Sequence, residues 1–280
     1  MKPVYILLTL LLITACKQKN QEPVEPELQE EVQVTTTVVD TLDPEQAIQS
    51  LKREQLYRMP DDSEQLAELV MEKEFFKETD EYILDFHFPW LNEDYTTNYR
   101  GFNDRIAEYI DIMGTEAQIL EDKAIYCDTI GVDRLQEERK IRYKIYTRTD
   151  QLLSVVFYKE NYYAGALHPT YLFDCFNYDL VNFDFKEYSD YFTAESDDEV
   201  LAILNRYLKQ GTEGGDCWEM TAEDFAPYRN NFVFGDKAVK FYFDDCVICP
   251  SYTGTFSIEV PLDQIMPYLK QFQQAPEVGQ

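Results

Sequence analysis

The chain has 280 residues, of which 53 are acidic and 25 are basic, so its net charge at neutral pH is −28. A hydrophobic content of 45%, with 21 tyrosines and 18 phenylalanines, is enough for a folded core and excludes a chain that is disordered throughout. The acidity excludes nucleic acid and anionic lipid surfaces as electrostatic partners, because both attract a basic protein face.

The first residues have the pattern of a secretory signal that ends in a lipidated cysteine. Lys2 precedes an apolar run over residues 4–13, which is shorter than the roughly 20 residues needed to span a bilayer. The sequence Ile13-Thr14-Ala15-Cys16 resembles the lipobox of bacterial lipoproteins. This resemblance implies that residues 1–15 are a signal peptide and that acyl chains on Cys16 attach the protein to the membrane.

An acidic tether is predicted over residues 16–50. It has eight acids, two bases and no aromatic residue after the cysteine, and its prolines disfavour a long helix, although a short helix is predicted to begin near Pro44. The alternative is a surface-export or binding tag. By resemblance to Gram-negative sorting, Lys17 favours the outer membrane if the host is Gram-negative. We therefore expect an extracytoplasmic, lipid-anchored protein.

The folded body shows helical and strand patterns in mixed order. Helical spacing of Leu66, Leu69 and Val70 predicts a helix over residues 63–75. Alternation predicts a strand over residues 82–88 that stops at Pro89, and a helix follows over residues 98–113, with Gly114 after it. The later predicted strands cover residues 141–147, 152–158, 171–180, 232–234, 238–243 and 255–260, and the later predicted helices cover residues 197–208 and 262–272.

These elements show neither an internal repeat nor a regular strand–helix–strand alternation. We therefore predict an α+β fold, with a mixed and mainly antiparallel sheet and several packed helices, after the signal peptide and a disordered tether.

Two stretches of the body carry a resemblance to a known family. Residues 153–180 contain Tyr162-Tyr163-Ala164-Gly165-Ala166-Leu167-His168-Pro169, and residues 241–262 contain Pro250-Ser251-Tyr252-Thr253-Gly254. Together they resemble the paired extracytoplasmic domains of unknown function, DUF4163-like and then DUF3298-like, of RsiV-type anti-sigma factors and PdaC-type polysaccharide deacetylases. The resemblance implies an N-terminal half over residues 51–165 and a C-terminal half over residues 166–280.

What the family implies for function is binding rather than catalysis. Its members have a compact mixed α/β ectodomain without a shared catalytic site, and the RsiV type binds lysozyme. This chain departs from the family pattern, because the sequence indicates neither a transmembrane helix with a sigma-binding segment nor a deacetylase domain. The small-residue run before the histidine is Ala-Gly-Ala-Leu here.

The candidate binding residues lie in the turns of the two resembling stretches: Tyr163, Gly165, His168 and Tyr252. His168 is interpreted either as a binding residue or general base, or as a structural imidazole bonded to the turn backbone. Alternation places His87 opposite Phe86 and Phe88. With only two histidines, far apart in sequence, no metal site, cofactor or catalytic residue is predicted.

Five cysteines follow Cys16, so an odd number is available for disulfides. Cys246 and Cys249 have the spacing of a dithiol, and we predict either a structural bridge between them or plain buried thiols. A bridge between Cys175 and Cys217 is a second candidate. A redox motif is disfavoured because the pair runs into Pro250 rather than into a helix.

The leading functional hypothesis is a binding or interaction module in the cell envelope, for a basic protein such as lysozyme or for a peptidoglycan-related ligand. Residues 51–280 carry a charge of −23, which would steer a cationic partner, although acidity also serves solubility alone. The alternative is a hydrolase that cleaves glycan or peptidoglycan with two carboxylates. A third hypothesis is an assembly lipoprotein that binds another envelope protein.

Overall fold

The computed structural model describes residues 44–131, 133–149, 151–211 and 216–270, all within one compact unit, Leu42–Gln280. The signal peptide, Cys16 and the tether up to residue 43 lie outside the described residues. The strands and helices, in chain order, are α1 (Pro44–Arg58), β1 (Val70–Glu78), β2 (Tyr82–Leu91), α2 (Arg100–Ile110), α3 (Ile112–Lys123), β3 (Glu137–Thr149), β4 (Leu152–Tyr162), β5 (Thr170–Asp179), β6 (Asp184–Lys186), α4 (Tyr188–Tyr191), α5 (Asp197–Gly211), α6 (Ala222–Phe225), β7 (Phe232–Phe234), β8 (Ala238–Tyr242), β9 (Ser257–Pro261) and α7 (Leu262–Ile265).

The larger sheet has six strands in the order β1-β2-β3-β4-β5-β6. Its pairs are antiparallel except for β2 and β3, which are parallel because α2 and α3 form the crossover between them. The smaller sheet is antiparallel, with the order β7-β8-β9. The predicted α+β class, with a mixed and mainly antiparallel sheet, is confirmed. The predicted boundary at residue 165 falls between β4 and β5, which pair in the same sheet.

Helix α2 covers one face of the larger sheet. Its buried residues Phe102, Ile106 and Ile110 pack with sheet residues that include Val155 and Phe157. Asn103 fixes the start of the helix, because its side-chain amide accepts from the backbone N–H of Leu91 at 2.8 Å and donates to the same residue's carbonyl at 2.9 Å.

The smaller sheet packs on the opposite face, where Val156 and Tyr158 of β4 meet Val233 and Tyr242. β4 is therefore buried on both faces, which explains its continuous apolar run. The other side of the smaller sheet packs against α5 through its buried residues Val200, Leu204 and Leu208.

Side chains join the open edge of β5 to the second sheet. The backbone N–H of Tyr171 donates to Asp245 at 2.8 Å, and that of Phe173 donates to Asp244 at 2.7 Å. The next alternate N–H, that of Cys175, donates to the Asn231 side chain at 3.1 Å. Because β6 pairs only with the end of β5, these side chains satisfy strand amides that would otherwise be buried without a partner.

Helix α1 is held on this junction by a buried ion pair. Lys52 is only 2% exposed, and its ammonium group contacts the Asp245 carboxylate and lies 5.1 Å from the centre of the Tyr171 ring. Leu56, one turn later, is buried in the core between the two sheets. The helix begins at Pro44 as predicted, and the predicted end of the tether at residue 50 falls inside it.

The predicted helix over residues 63–75 is wrong. Residues 63–69 form turns, and β1 begins at Val70. The preceding Asp62 bonds to β3 through its backbone N–H and its carboxylate, and Val70 pairs with Leu91 of β2. Pairing with two strands therefore outweighs the helical spacing. β2 itself runs past Pro89, because its pairing with β3 ends at Phe86 and the edge beyond that residue tolerates proline.

The predicted helix over residues 98–113 is two helices. Asp111 adopts a left-handed conformation (φ 35°) between α2 and α3, and its carboxylate accepts from the N–H of Gly114 at 3.0 Å. A Cβ at Gly114 would collide with that carboxylate, so this glycine permits the cap of α3 rather than ending a helix. The predicted last helix is also shorter, since α7 ends at Ile265 and a 3₁₀ turn containing Pro267 follows.

Asp244 gives a prediction about pH. Burial raises the pKa of its carboxyl group above the ordinary value of 3.8, although the bonds from Phe173 and Tyr228 partly oppose the shift. A raised pKa in the folded state contributes stability below the unfolded pKa, and this contribution is lost as the pH rises through the folded pKa. We expect Asp244→Asn, which cannot ionise, to gain stability relative to the parent as the pH rises from 4 to 7. Urea unfolding of both proteins at several pH values measures the difference in their free energies of unfolding. A difference that does not change with pH would contradict the prediction.

Candidate functional site

A cavity of about 220 Å³ lies against the larger sheet, on the face that α2 covers. Its sheet wall is set by the register of β3 and β4, in which Arg139 is paired with Asn161 and Ile141 with Lys159. Because side chains alternate along a strand, residues 139 and 141, and likewise 159 and 161, point to the same face. Phe86 and Leu172 extend this wall onto β2 and β5.

The end of α2 and most of α3 form the opposite wall. Their lining residues are Tyr109, Ile110, Thr115, Gln118, Ile119 and Asp122, and Tyr163 closes the side after β4. The break at Asp111 separates α3 from α2, and α3 contributes four of the lining side chains.

Arg139 is the most deeply held cation of the site, with 8% of its surface exposed. Its guanidinium contacts the buried carboxylate of Glu137 and donates to two backbone carbonyl groups. Lys123, which is also buried, lies 3.8 Å from the same carboxylate. The ring of Tyr163 covers the guanidinium, with its centre 4.0 Å from Cζ. Arg139 is therefore fixed in one position, as ligand recognition requires.

Lys159 forms the second cationic group of the wall. Its ammonium lies 3.0 Å from the Asp174 carboxylate and 4.5 Å from the centre of the Tyr109 ring. The Tyr109 hydroxyl donates to the same carboxylate at 2.7 Å. Burial, followed by the charge of Asp174, raises the pKa of Tyr109 well above 10, so its hydroxyl stays protonated at physiological pH.

Asn161, unlike Arg139 and Lys159 on the same wall, has no side-chain hydrogen-bond partner among the described residues. It is only 8% exposed and lines the cavity beside Arg139. Its amide atoms are not among the buried side-chain atoms without a partner, so they are open to solvent in the cavity and can bond a ligand there. The amide therefore faces the cavity with its hydrogen-bonding capacity unused by the protein.

Of the predicted binding residues, Tyr163 is the one that lines this cavity. Gly165 (φ 76°) and His168 belong to the turn that follows, and neither lines the cavity. The Nδ1 atom of His168 lies 2.9 Å from the carbonyl oxygen of Pro169, as expected for the structural imidazole. Tyr252 is exposed in a separate 3₁₀ turn after β8 and does not line the cavity either.

Sequence reasoning missed Arg139, Lys159 and Asn161. A signal was present, because residues 159 and 161 have the same parity as Phe157, which faces the core beneath α2. Polar residues on the buried face of a strand are unusual and indicate a site. The predicted strand ended at residue 158, where the apolar run ends, whereas β4 continues to Tyr162.

The cysteine pairing differs from both predicted bridges. Cys217 and Cys249 form the disulfide, whereas Cys127, Cys175 and Cys246 are free. The predicted bridge between Cys246 and Cys249 is wrong, because Cys246 is exposed in a left-handed turn (φ 65°) and Cys249 is buried in the core beside α5. Burial raises the pKa of the Cys175 thiol well above 9 and keeps it unreactive.

One group of metal-type side chains occurs on the larger sheet. Glu72 and Glu74 of β1 point to the same face as His87 of β2, and their ligand atoms lie within 4.8 Å of one another. The Nε2 atom of His87 lies 3.3 Å from Asp85. The imidazole is 25% exposed and the two glutamates are more exposed, and exposed acidic groups of this kind are common without a metal.

None of the helices in the described part of the chain combines the length and apolarity needed to cross a membrane. No protein-family model and no curated protein matches the sequence.

Two solved structures are similar in fold. A DUF3298 family protein from Pseudomonas aeruginosa has a TM-score of 0.50 and 12% identity, with 72% of this chain and 93% of that chain covered. A member of the same family from Bacteroides fragilis has a TM-score of 0.45 and 15% identity, over 71% of this chain and 93% of that chain. The Pseudomonas aeruginosa structure confirms the resemblance to DUF3298 proteins at the level of the fold.

Proposed function

We propose that this chain, which has the fold of a DUF3298 family protein, is a lipid-anchored binding module of the cell envelope. Its acyl chains on Cys16 hold it to the membrane, and its ligand binds in the cavity between β3, β4 and α3. The observation that carries this proposal is the Asn161 amide, which bonds to no described residue and lines the cavity beside the fixed guanidinium of Arg139.

The cavity supports a small ligand rather than a basic protein. A protein such as lysozyme would approach the acidic outer surface, whereas Arg139 and Lys159 give the cavity wall two positive charges. We therefore favour the peptidoglycan-related ligand over the basic protein. A pull-down with purified lysozyme over a salt series separates the two, since strong binding at low salt that the variant Asn161→Ala does not change would favour the basic protein.

Binding also accounts for the cavity better than paired-carboxylate hydrolysis does. A glycosidase of that kind holds two carboxyl groups across the scissile bond, whereas the lining of this cavity contains one carboxylate, Asp122. The proposal accordingly assigns no catalytic residue to the chain.

Lipid anchoring gives a direct prediction for Cys16. The variant Cys16→Ser has no thiol to acylate, so we expect it to lose incorporation of labelled palmitate and to leave the membrane fraction. Cys246→Ser, which removes an exposed thiol of the folded body, is the matched control and should keep the label. Equal labelling of Cys16→Ser and the parent chain would contradict the lipoprotein assignment.

The binding role is tested by equilibrium dialysis of the full-length chain, in detergent, against a soluble peptidoglycan digest. We expect at least one digest compound to be retained by the parent chain and released by Tyr163→Ala, because Tyr163 covers the guanidinium of Arg139. Retention of no compound, or equal retention by both proteins, would contradict binding in this cavity.

A further inference from the structure

We infer that the ligand of this cavity is a small organic carboxylate, bonded through its carboxylate group by Arg139 and Asn161. The inference rests on the proposed function and adds the chemical class of the ligand. It follows from the donors of the site, from its charge and from its size.

The donors are two adjacent groups on one wall. Asn161 carries an N–H₂ group that donates to no described residue, and it is the register partner of Arg139 on β3. The guanidinium uses Nη1 and Nη2 for Glu137 and two carbonyl groups, and its Nε–H has no acceptor in the described chain. Two neighbouring N–H donors, one of them cationic, suit a group with two acceptor oxygen atoms.

The charge of the site suits a single negative charge. Arg139, Lys159 and Asp122 line the cavity directly and give it a surplus of one positive charge. Behind them, Glu137 and Asp174 add two negative charges and Lys123 adds one positive charge, so the wider site is neutral. A phosphate dianion would bring two negative charges into a partly buried site with nearby carboxylates, which is costly. A carboxylate brings one.

The size and the remaining walls limit the rest of the ligand. The volume of about 220 Å³ lies below the roughly 300–1,000 Å³ of sites for drug-sized ligands, so it suits a compound the size of an amino acid or a monosaccharide. Ile119 and Leu172 offer apolar contact, while Thr115 and Gln118 offer hydrogen bonds across the cavity.

The test is calorimetric titration of the full-length chain with N-acetyl-D-alanine, N-acetyl-L-alanine and N-acetylmuramic acid. The methyl ester of each compound and inorganic phosphate are the matched probes. We expect at least one acid to bind and its ester to bind at least tenfold more weakly. Asn161→Ala should weaken the acid at least tenfold, which corresponds to about 1.4 kcal/mol. The control Asn98→Ala, at an exposed position, should stay within twofold of the parent.

Asn161→Ala should fold normally, because the amide bonds to no other described residue, and its thermal midpoint is measured alongside. Equal binding of an acid and its ester, tighter binding of phosphate, or binding of none of the three acids overturns the carboxylate assignment. The digest experiment separates this failure from failure of the proposed function. Retention that survives amidation of the digest carboxylates by carbodiimide and ammonia overturns only the ligand class, whereas no retention of either digest overturns both.

Discussion

Replacing Asp245 with asparagine is expected to lower the free energy of unfolding by about 3–5 kcal/mol, because it leaves a buried ammonium without its counter-charge. Lys52 and Asp245 are 1% and 5% exposed at their side chains. Asparagine keeps an oxygen for the N–H of Tyr171, so the loss reports the ion pair rather than the strand-edge bond. Urea unfolding at pH 7, followed by aromatic fluorescence, measures the change.

The neighbouring variant Asp244→Asn is the control for this result. It makes the same substitution one residue earlier, at a carboxylate that accepts from the backbone N–H of Phe173 in β5. This variant removes no ion pair. Burial raises the pKa of Asp244, so ionisation of this carboxyl group is unfavourable in the folded protein. We expect it to be as stable as the parent at pH 7 or more so. The double variant Lys52→Met/Asp245→Asn should recover most of the loss, and no recovery would contradict the ion-pair explanation.

Removing the disulfide is the second large effect. Cys217 and Cys249 are separated by 32 residues, and closing a loop of that length restricts the unfolded chain by about 3–4 kcal/mol in the chain-entropy model. We expect Cys217→Ser to lower the free energy of unfolding by this amount, and the urea midpoint to fall with it. The loop contains α6 and the smaller sheet's first two strands, so the variant should also expose the core beneath α5.

Cys246→Ser provides the comparison for the disulfide variant. Its thiol is exposed and outside the bridge, so its stability should match the parent. Peptide mapping without reductant should recover a fragment that joins Cys217 to Cys249. A fragment that joins Cys246 to Cys249, or equal destabilisation by the two variants, would contradict this connectivity.

The strands and helices that sequence patterns predicted correctly are those whose burial follows local periodicity. β4, β5 and α5 fall where apolar runs or helical spacing place them, because each packs against the core along most of its length. The helix predicted over residues 63–75 failed for a tertiary reason. Val70 begins a strand that pairs with β2, and helical spacing in seven residues cannot reveal a partner strand.

The site was only partly predictable for a related reason. Tyr163 was identified from a family turn, but Arg139 and Asn161 come together through the register of β3 and β4, which no local pattern specifies. Asp244 and Asp245 show the converse. They are adjacent in the sequence without any recognisable motif, and the structure places both on backbone amides of β5, where they connect the two sheets.

The most direct measurement of the central claim is the nuclear magnetic resonance signal of the Asn161 side-chain amide. Its two proton–nitrogen peaks are assigned by their absence in Asn161→Ala, and the full-length chain is then titrated with the soluble peptidoglycan digest. If the cavity is the binding site, these peaks shift progressively and saturate, because the amide gains a hydrogen-bond partner from the ligand. If they stay in place while peaks elsewhere shift, the ligand binds at another site and the assignment of this cavity is wrong.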